Sequence, residues 1–347
     1  MRSLAVVVSV LLAGQPAPPA PAPTPALDGV IGALRTNQLV AISDPHGSAT
    51  GQTFIRQLIA DPRFADLVDD IVVEVGNARY QPLVDDYVNG KAIDESALAE
   101  AWLNTTVANQ ISADVEWFRL VRQTNRTRPA DRRMRILLGD PPIDWTKVQT
   151  REDHFKWLAQ RDSFPAALVH TEVIAKERRA LIVYGHLHFQ RKQMSSNFFM
   201  DDPRAQTIVS LLERAGPTRV FTVWSLADEL TGAFPDARSW PRPAFAAVRG
   251  TSLGRLDIAR LYPNRPRMQF VDGAMKPLPA SEWAVLPIDQ QLDAVLYFGT
   301  SAEDVRIQPS NAPCARPGFL KERLRRITLT GIPRFEAEAI EKLCAAP

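Results

Sequence analysis

Six short apolar runs recur along the chain, and each is followed by turn residues and then by a stretch with apolar positions at helical spacing. The runs cover residues 38–44, 70–77, 134–140, 180–186, 218–225 and 293–299. They are rich in Val, Ile, Leu and aromatic residues without strict polar alternation, which is typical of strands buried on both faces. Because such strands alternate with helical patterns, the sequence predicts an α/β fold with a mostly parallel central sheet flanked by helices.

Two helical stretches, about residues 82–130 and 151–178, are longer than a crossover between parallel strands requires. Asp94 stands directly before one helical pattern and is predicted to be its N-cap. We expect some of these helices to form a cap, inserted between the strands and lying over the strand ends. The α/β domain is then predicted to span residues 28–300.

The two ends of the chain differ from this pattern. Residues 1–19 combine an early positive charge, a short apolar stretch and small residues, which is typical of a secretory signal peptide and too short for a membrane span. Residues 20–27 are rich in Pro and Ala and predict an extended tether that does not join a core. Residues 301–347 predict a small helical appendage at the edge of the sheet. We expect a secreted or periplasmic protein with no stable membrane anchor after signal cleavage.

The two cysteines, Cys314 and Cys344, both lie in the last fifth of the chain. In an oxidising compartment, an isolated pair that flanks two short helical stretches favours a disulfide, and two free buried thiols are the alternative. Gly331 and Pro333 lie between the two stretches and would permit the chain to reverse.

Composition narrows the function only slightly. The chain has 347 residues, of which 45% are hydrophobic and 23% charged, so it is long enough for a substantial core. The formal net charge is +2 and the basic residues are scattered. No charge pattern therefore points to nucleic acid, and we expect no nucleic-acid partner.

Candidate chemistry lies where the apolar runs end, because ligands of a parallel sheet bind outside the carboxyl ends of its strands. We expect Asp44, His46, Glu74, His186 and His188 to converge on one pocket at that edge. The two remaining histidines, His154 and His170, fall in helical patterns and are expected to be surface or cap residues. The polar residues that follow the first four runs are Asp44, His46, Glu74, Asn77, Arg79, Asp140, Asp144, His186 and His188.

Glu74 carries the strongest indication of function, because it inserts a carboxylate into the buried run "IVVEVG". A buried acid is costly unless it is paired, hydrogen-bonded or bound to a metal. A structural acid paired with Arg79 is the alternative. His186 and His188 lie two positions apart, which on an extended strand end puts both on one face. Asp44 and Asp140 each precede a proline, so either could instead be a turn former.

Two kinds of site fit these residues. Asp44, His46, Glu74 and His188 have the composition of a divalent metal site with open positions for water or substrate. The same groups could work without metal, with a histidine as general base oriented by an acid and with Arg79 stabilising negative charge. Spacing alone leaves both open.

Three segments resemble motifs of the Tiki/ChaN/TraB superfamily and, more distantly, of the erythromycin esterases: "SDPH" followed by Gly-Ser, "VVEVGNARYQ", and "GHLH". That superfamily is marked by two Gly-x-x-His motifs at strand ends with an intervening glutamate. The second motif is intact from Gly185 to His188, and Glu74 matches the glutamate. In the first motif Ser43 replaces the glycine and Asp44 the frequent glutamate, while His46 is kept. The resemblance covers roughly residues 38–300.

This resemblance implies a shared α/β fold, site residues at His46, Glu74 and His188, and activities that include metal-dependent peptide cleavage, haem binding and ester hydrolysis. We therefore predict an exported hydrolase that activates water with a divalent metal ion and acts on a small-molecule, ester or peptide substrate. One alternative is a haem- or iron-binding protein in which a histidine, Tyr80 or Tyr184 ligates iron. The other is an inactive binding module, which the altered first motif favours.

Overall fold

The apolar runs form the core of an eight-stranded sheet in the computed structural model, which describes residues 17–108, 115–192, 206–263, 268–272, 274–282, 285–331 and 334–345. All six predicted runs are strands. The strands are β1 (Thr24–Pro25), β2 (Leu39–Ser43), β3 (Asp70–Asn77), β4 (Arg135–Asp140), β5 (Ala180–Tyr184), β6 (Val220–Leu226), β7 (Ala244–Ala247), β8 (Met268–Val271), β9 (Ala274–Pro277) and β10 (Ala294–Tyr297).

The sheet has the order β1-β7-β10-β6-β2-β5-β3-β4, and β8 pairs with β9 in a separate hairpin. The strands from β10 to β4 are mutually parallel, whereas β7 and β1 add an antiparallel edge. The predicted α/β fold with a mostly parallel sheet is therefore confirmed.

Helices cover both faces of this sheet because side chains on successive strand residues point to opposite sides. The helices are α1 (Ala26–Thr36), α2 (Ala49–Ala60), α3 (Gln81–Val88), α4 (Glu95–Leu98), α5 (Glu100–Leu103), α6 (Val115–Asn125), α7 (Arg151–Leu158), α8 (Ser163–Glu172), α9 (Ile208–Ala215), α10 (Asp228–Ala233), α11 (Phe319–Thr330) and α12 (Arg334–Ala345). One apolar core joins α1, α2, α3, α5 and α6 to the sheet, and a second joins α8, α9 and α10 to the opposite face.

The segments predicted to cap the strand ends divide between these layers. Helices α3, α5 and α6 pack on one face of the sheet and α8 packs on the other. The short connection between α7 and α8 extends over the carboxyl ends of the strands, where Arg161 and Asp162 line a cavity.

The prediction of a separate tether over residues 20–27 is wrong. Thr24 and Pro25 form β1 and pair with β7, and Ala26 is buried as the first residue of α1. Pro19 also accepts a hydrogen bond from the backbone of Ser252, at 2.8 Å. Composition does not show this packing, because backbone groups form the ladder and an edge strand tolerates the missing N–H of proline.

The predicted signal peptide lies largely outside the described residues, which begin at residue 17, so it stays a prediction. Within the part of the chain that the structure describes, no helix combines the length and apolar character that crossing a membrane requires.

The carboxyl-terminal segment packs against the sheet-edge loops, and its predicted disulfide is confirmed. Cys314 and Cys344 are bonded, with their Cα atoms 5.3 Å apart. Helices α11 and α12 share a third apolar cluster with the loop that follows β4. Arg323 of α11 is buried and donates to the backbone carbonyls of Leu103 and Ala108.

Candidate functional site

His46 lies in the tight turn between β2 and α2. Gly47 adopts the left-handed conformation that the turn requires, with φ of 74°. Ser48 then caps α2 by accepting a hydrogen bond from the backbone of Gly51, at 2.9 Å. This turn leaves the His46 side chain 58% exposed towards the cavity.

Asp44 holds the His46 ring from one side. His46 Nδ1 lies 3.1 Å from Asp44 Oδ2, and the other carboxylate oxygen of Asp44 accepts a hydrogen bond from Gln52 Nε2 at 3.1 Å. The hydrogen bond to Asp44 raises the pKa of His46 above its ordinary value of 6.5.

Glu74 lies at the centre of the site, where the pairing of β3 with β4 becomes irregular between Val73 and Asn77. Such an irregularity redirects side chains and is common beside functional sites. One carboxylate oxygen contacts the guanidinium of Arg161, and the other accepts a hydrogen bond from the backbone of Gly185 at 2.7 Å.

Two histidine rings also approach Glu74. His46 Nε2 lies 3.6 Å from Oε2 and His188 Nε2 lies 3.6 Å from Oε1. Burial raises the pKa of Glu74, but contact with His188 and the charges of Arg161 and His46 lower it more, so the pKa lies well below its ordinary value. Glu74 is therefore an ionised carboxylate surrounded by cationic groups.

His188 is held between two acids. Its Nδ1 lies 2.9 Å from Asp162 Oδ1 while Nε2 faces Glu74. Burial lowers the pKa of His188, but Asp162 and Glu74 raise it more, to about 9. His188 is therefore an imidazolium at neutral pH.

His186 faces another part of the same cavity. Strand β5 ends at Tyr184 and residues 186–189 form a 3-10 turn, so the two histidine rings do not share one strand face as predicted. His186 Nε2 lies 2.8 Å from the Tyr262 hydroxyl, and the two rings stack with their centroids 5.7 Å apart.

The structure brings the five predicted residues together. A cavity of about 670 Å³ at the carboxyl edge of the sheet is lined by all of Asp44, His46, Glu74, His186 and His188. Its size is within the usual range for small-molecule sites.

Arg79, in contrast, does not join this group. A 3-10 turn after β3 directs it to Asp144, whose carboxylate lies 3.0 Å away. The arginine that pairs with Glu74 is Arg161. The alternative that Glu74 is a structural acid paired with Arg79 is therefore wrong, as is the predicted placement of Arg79 in the site.

Other polar residues at the strand ends have structural partners. The Asn77 side chain donates to the carbonyls of Asn104 and Ile143, at 2.6 and 2.9 Å. Asp140 accepts from the backbone and hydroxyl of Thr106, at 2.7 and 2.5 Å, and burial raises its pKa to about 7.

The two helical histidines differ in their surroundings. His170 is exposed on α8, as predicted for a surface residue. His154 of α7 is buried, with Nε2 2.8 Å from the carbonyl oxygen of Thr106 and its ring stacked on Trp145. His154 is therefore a buried structural residue.

Sequence reasoning missed Arg161 and Asp162, which provide a cation for Glu74 and an acid for His188. Both lie in the polar stretch "QRDS" between two helices, and such a stretch ordinarily belongs to a solvated surface. The Arg161 side chain is 22% exposed, and the charges of Glu74 and Asp140 raise its pKa although burial lowers it.

The tyrosines considered as iron ligands do not line this cavity. Tyr184 is fully buried beneath His188, and its hydroxyl has no hydrogen-bond partner among the residues described. Tyr80 lies at a separate polar cavity with Arg79 and Asp144. The proposed iron ligation by Tyr80 or Tyr184 is therefore not supported by their positions.

The donor set also does not fit a metal ion. Among the described residues, no group of three or more His, Cys, Asp or Glu side chains is arranged to hold one. Arg161 already contacts the carboxylate that would be the central ligand.

Comparison with known proteins gives only a likeness of fold. No family model matches the chain, and no curated protein matches it. A succinoglycan biosynthesis protein has a TM-score of 0.53 and 10% identity, over 81% of this chain and 92% of that chain. A protein from Bacillus cereus has a TM-score of 0.49 and 10% identity, over 82% and 94%. ChaN of Campylobacter jejuni, which binds haem cofacially, has a TM-score of 0.35 and 12% identity, over 57% and 85%. The first similarity shows a shared fold, and the two weaker ones establish neither fold nor function for this chain.

Proposed function

We propose that this protein is an exported hydrolase in which His46 acts as a general base on water, without a metal ion at Glu74. The observation that carries the proposal is the orientation of the His46 ring. Asp44 contacts Nδ1 while Nε2 faces Glu74 in a cavity large enough for a substrate.

Asp44 sets the tautomer of this base. With the proton on Nδ1 donated to the carboxylate, the lone pair on Nε2 can accept a proton from water. Because the pKa of His46 is raised, a larger share of the ring is protonated at neutral pH than for an ordinary histidine. The hydrolysis rate should therefore increase as pH rises through the pKa of His46, above 6.5.

Arg161 and His188 supply the positive charge that the reaction needs. Both lie beside Glu74, and both are cationic at neutral pH. Fixed cations in a partly buried site stabilise the negative charge that develops on a carbonyl oxygen. Arg161 thus takes the role that the metal-free alternative gave to Arg79.

The reaction balances without another reactant. Water loses a proton to His46 Nε2 as its oxygen bonds to the carbonyl carbon of an ester. The carbon–oxygen bond to the leaving group then breaks, and His46 returns the proton to that oxygen. The products are a carboxylic acid and an alcohol.

The test is hydrolysis of a panel of esters by the purified protein, with metal analysis and chelator treatment. His46→Gln should lower kcat by at least about 100-fold. The same substitution at the exposed His170 is the control and should leave kcat unchanged. Loss of activity on chelation, with recovery on adding a divalent metal, would instead support the metal-dependent mechanism that the sequence predicted.

Export rests on the amino-terminal pattern and on the Cys314–Cys344 disulfide, since disulfides persist in oxidising compartments. Expression with its own amino terminus in a bacterial host, followed by fractionation, tests it. We expect the mature protein in the periplasm or medium with a shortened amino terminus. Recovery of the full-length chain in the cytoplasm would refute export.

A further inference from the structure

A separate polar cavity, of about 410 Å³, lies at the β4 edge of the sheet, and no described residue lines both it and the cavity that contains His46. Its walls are the 3-10 turn after β3, the loop that follows β4 and helix α11. It is called the arginine cavity here, because Arg79, Arg325 and Arg326 line it. Arg79 is a strand-end residue that the proposed hydrolysis does not use.

Arg326 is the buried cation of this cavity. Its side chain is 9% exposed, and it donates from Nε to Glu322 Oε1 at 2.7 Å and from Nη2 to Asn104 Oδ1 at 2.9 Å. The guanidinium also lies over the Trp145 ring, 4.8 Å from its centroid. These contacts fix the position of the charge, and a group that is already ordered loses little conformational entropy when a ligand binds.

Arg325 is held beside Arg326 through the same acid. It donates from Nε to Glu322 Oε2 at 2.7 Å, while its two Nη atoms donate to the carbonyls of Val148 and Trp145, each at 2.8 Å. Glu322 therefore pairs with both arginines, and one carboxylate balances two guanidinium groups.

Arg79 brings a third guanidinium to the cavity, and most of its donors are unused. Nη1 lies 3.0 Å from Asp144 Oδ2, and the side chain makes no further ion pair or hydrogen bond with a described residue. The Tyr80 hydroxyl, from the same turn, also has no hydrogen bond within the part of the chain that the structure describes. Since the Arg79 side chain is 52% exposed, its unused N–H groups can donate to a ligand that enters from solvent.

Positive charge exceeds negative charge around this cavity. Three arginines line it, but only two carboxylates do, those of Asp144 and Glu322. Arg323, on the same helix as Arg325 and Arg326, adds to the excess, because it is buried and forms no ion pair with a described residue. Burial lowers the pKa of Arg323 to about 9, and the charge of Arg326 contributes to that shift. An anion that enters the cavity is therefore attracted by the unbalanced positive charge.

We propose that the arginine cavity binds the phosphate group of a small ligand, either inorganic phosphate or a phosphate monoester. A phosphate dianion matches the excess of positive charge better than a single carboxylate does, and a planar guanidinium can donate two parallel hydrogen bonds to it. Arg79 supplies its unused Nε and Nη2 donors, and Tyr80 adds a hydroxyl donor. Arg325 and Arg326 supply positive charge in fixed positions. The site is independent of the proposed hydrolase function, because none of these residues lines the His46 cavity.

The experiment titrates inorganic phosphate and, separately, glycerol 3-phosphate into the purified protein by calorimetry, in chloride buffer at constant ionic strength. We expect binding, and Arg79→Gln should weaken it at least about tenfold because a charged donor is lost. Arg132→Gln is the matched control: this arginine precedes β4 at the other end of the strand, its side chain is 62% exposed, and the substitution should leave the affinity unchanged. Tyr80→Phe keeps the ring and should weaken binding by about threefold to tenfold.

The two titrations also distinguish the sources of the phosphate group. Tighter binding of glycerol 3-phosphate than of inorganic phosphate identifies a monoester as the ligand, and equal or weaker binding identifies the free ion. Phosphate that binds instead beside Arg161 and His188 would leave the affinity of Arg79→Gln unchanged, and that result would overturn the proposal. Equal losses in Arg79→Gln and Arg132→Gln would show nonspecific attraction and would overturn it too, as would the absence of detectable binding of either phosphate.

Discussion

Glu74 shows how a buried carboxylate is stabilised by neighbours from distant parts of the sequence. Arg161, His188 and the backbone of Gly185 all contact it, and its side chain is 10% exposed. The charge of Glu74 therefore balances two cations that would otherwise repel each other in a partly dry site.

Glu74→Gln tests this balance. The change keeps the side-chain volume but removes the charge, so Arg161 loses its buried partner and the free energy of unfolding should fall by about 3 kcal/mol. The pKa of His188 should fall as well, because Glu74 raises it. Urea unfolding and an NMR titration measure the two effects. Glu152→Gln on α7, where the side chain is 84% exposed, is the control and should change neither. An unchanged unfolding free energy in Glu74→Gln would contradict the prediction.

His188 predicts a pH dependence of stability. Its folded pKa of about 9 exceeds its ordinary value of 6.5, so its protonated form stabilises the fold fully below pH 6.5. That contribution, about 3 kcal/mol, is lost as the pH rises through 9. Unfolding of the wild type and His188→Gln at pH 6.5 and 9.5 should show a difference that shrinks at the higher pH. The same substitution at exposed His170 should have little effect at either pH, and a pH-independent difference for His188→Gln would contradict the prediction.

The sequence could locate some site residues and not others for a physical reason. His46, Glu74 and His188 follow or interrupt buried strands, whose carboxyl ends must meet at one edge of a parallel sheet. Arg161 reaches the same edge from a connection between helices, and no periodic pattern fixes the direction of such a connection. Arg79 follows a strand too, but the 3-10 turn after β3 directs it elsewhere.

At the scale of elements, strands with strong apolar runs were predictable and edge strands were not. The six buried strands contain enough Val, Ile and Leu to mark them. Strand β7, "AFAA", and the two-residue β1 have little β propensity. They belong to the sheet because their backbones pair with neighbouring strands. The Pro and Ala content of residues 20–27 predicted a tether because amino-acid composition carries no information about backbone pairing with a distant strand.

Arg323 of helix α11 forms hydrogen bonds with the backbone at the start of the loop between α5 and α6. This side chain is 2% exposed, burial lowers its pKa to about 9, and it donates to the carbonyls of Leu103 and Ala108. This loop includes Thr105 and Val107, which line a second cavity beside His46 and Glu74.

Arg323→Met should therefore destabilise the protein although it removes a buried charge. Two buried carbonyls lose a donor, so we expect the free energy of unfolding to fall by about 2–4 kcal/mol. Hydrogen exchange should also increase in residues 103–108. Lys321→Met, an exposed position on the same helix, is the control for both measurements. Unchanged hydrogen exchange in residues 103–108 would show that Arg323 does not stabilise this loop.

At the scale of the whole molecule, the two ends of the chain stabilise opposite edges of the sheet. Strand β1 pairs with β7 at one edge. At the β4 edge, α11 and α12 pack on the loop that follows β4, and Arg325 donates to the carbonyls of Trp145 and Val148 at 2.8 Å. The disulfide stabilises the packing at the β4 edge, because it joins the segment before α11 to the end of α12.

Removal of the Cys314–Cys344 disulfide should lower the free energy of unfolding but leave the geometry of the candidate site unchanged. The bridge closes a loop with a sequence separation of 30, for which the lost chain entropy predicts a fall in the free energy of unfolding of about 3–4 kcal/mol. The double variant Cys314→Ser and Cys344→Ser should show this fall in urea unfolding, and the wild type should match it once a reductant is added. The double variant supplies its own control, because the reductant should not change it. Ester hydrolysis should persist below the melting transition, since neither cysteine lines the cavity that contains His46 and Glu74. A wild type that is equally stable with and without reductant would show that the bridge contributes nothing, and the tail would then be held by its arginine and apolar contacts alone.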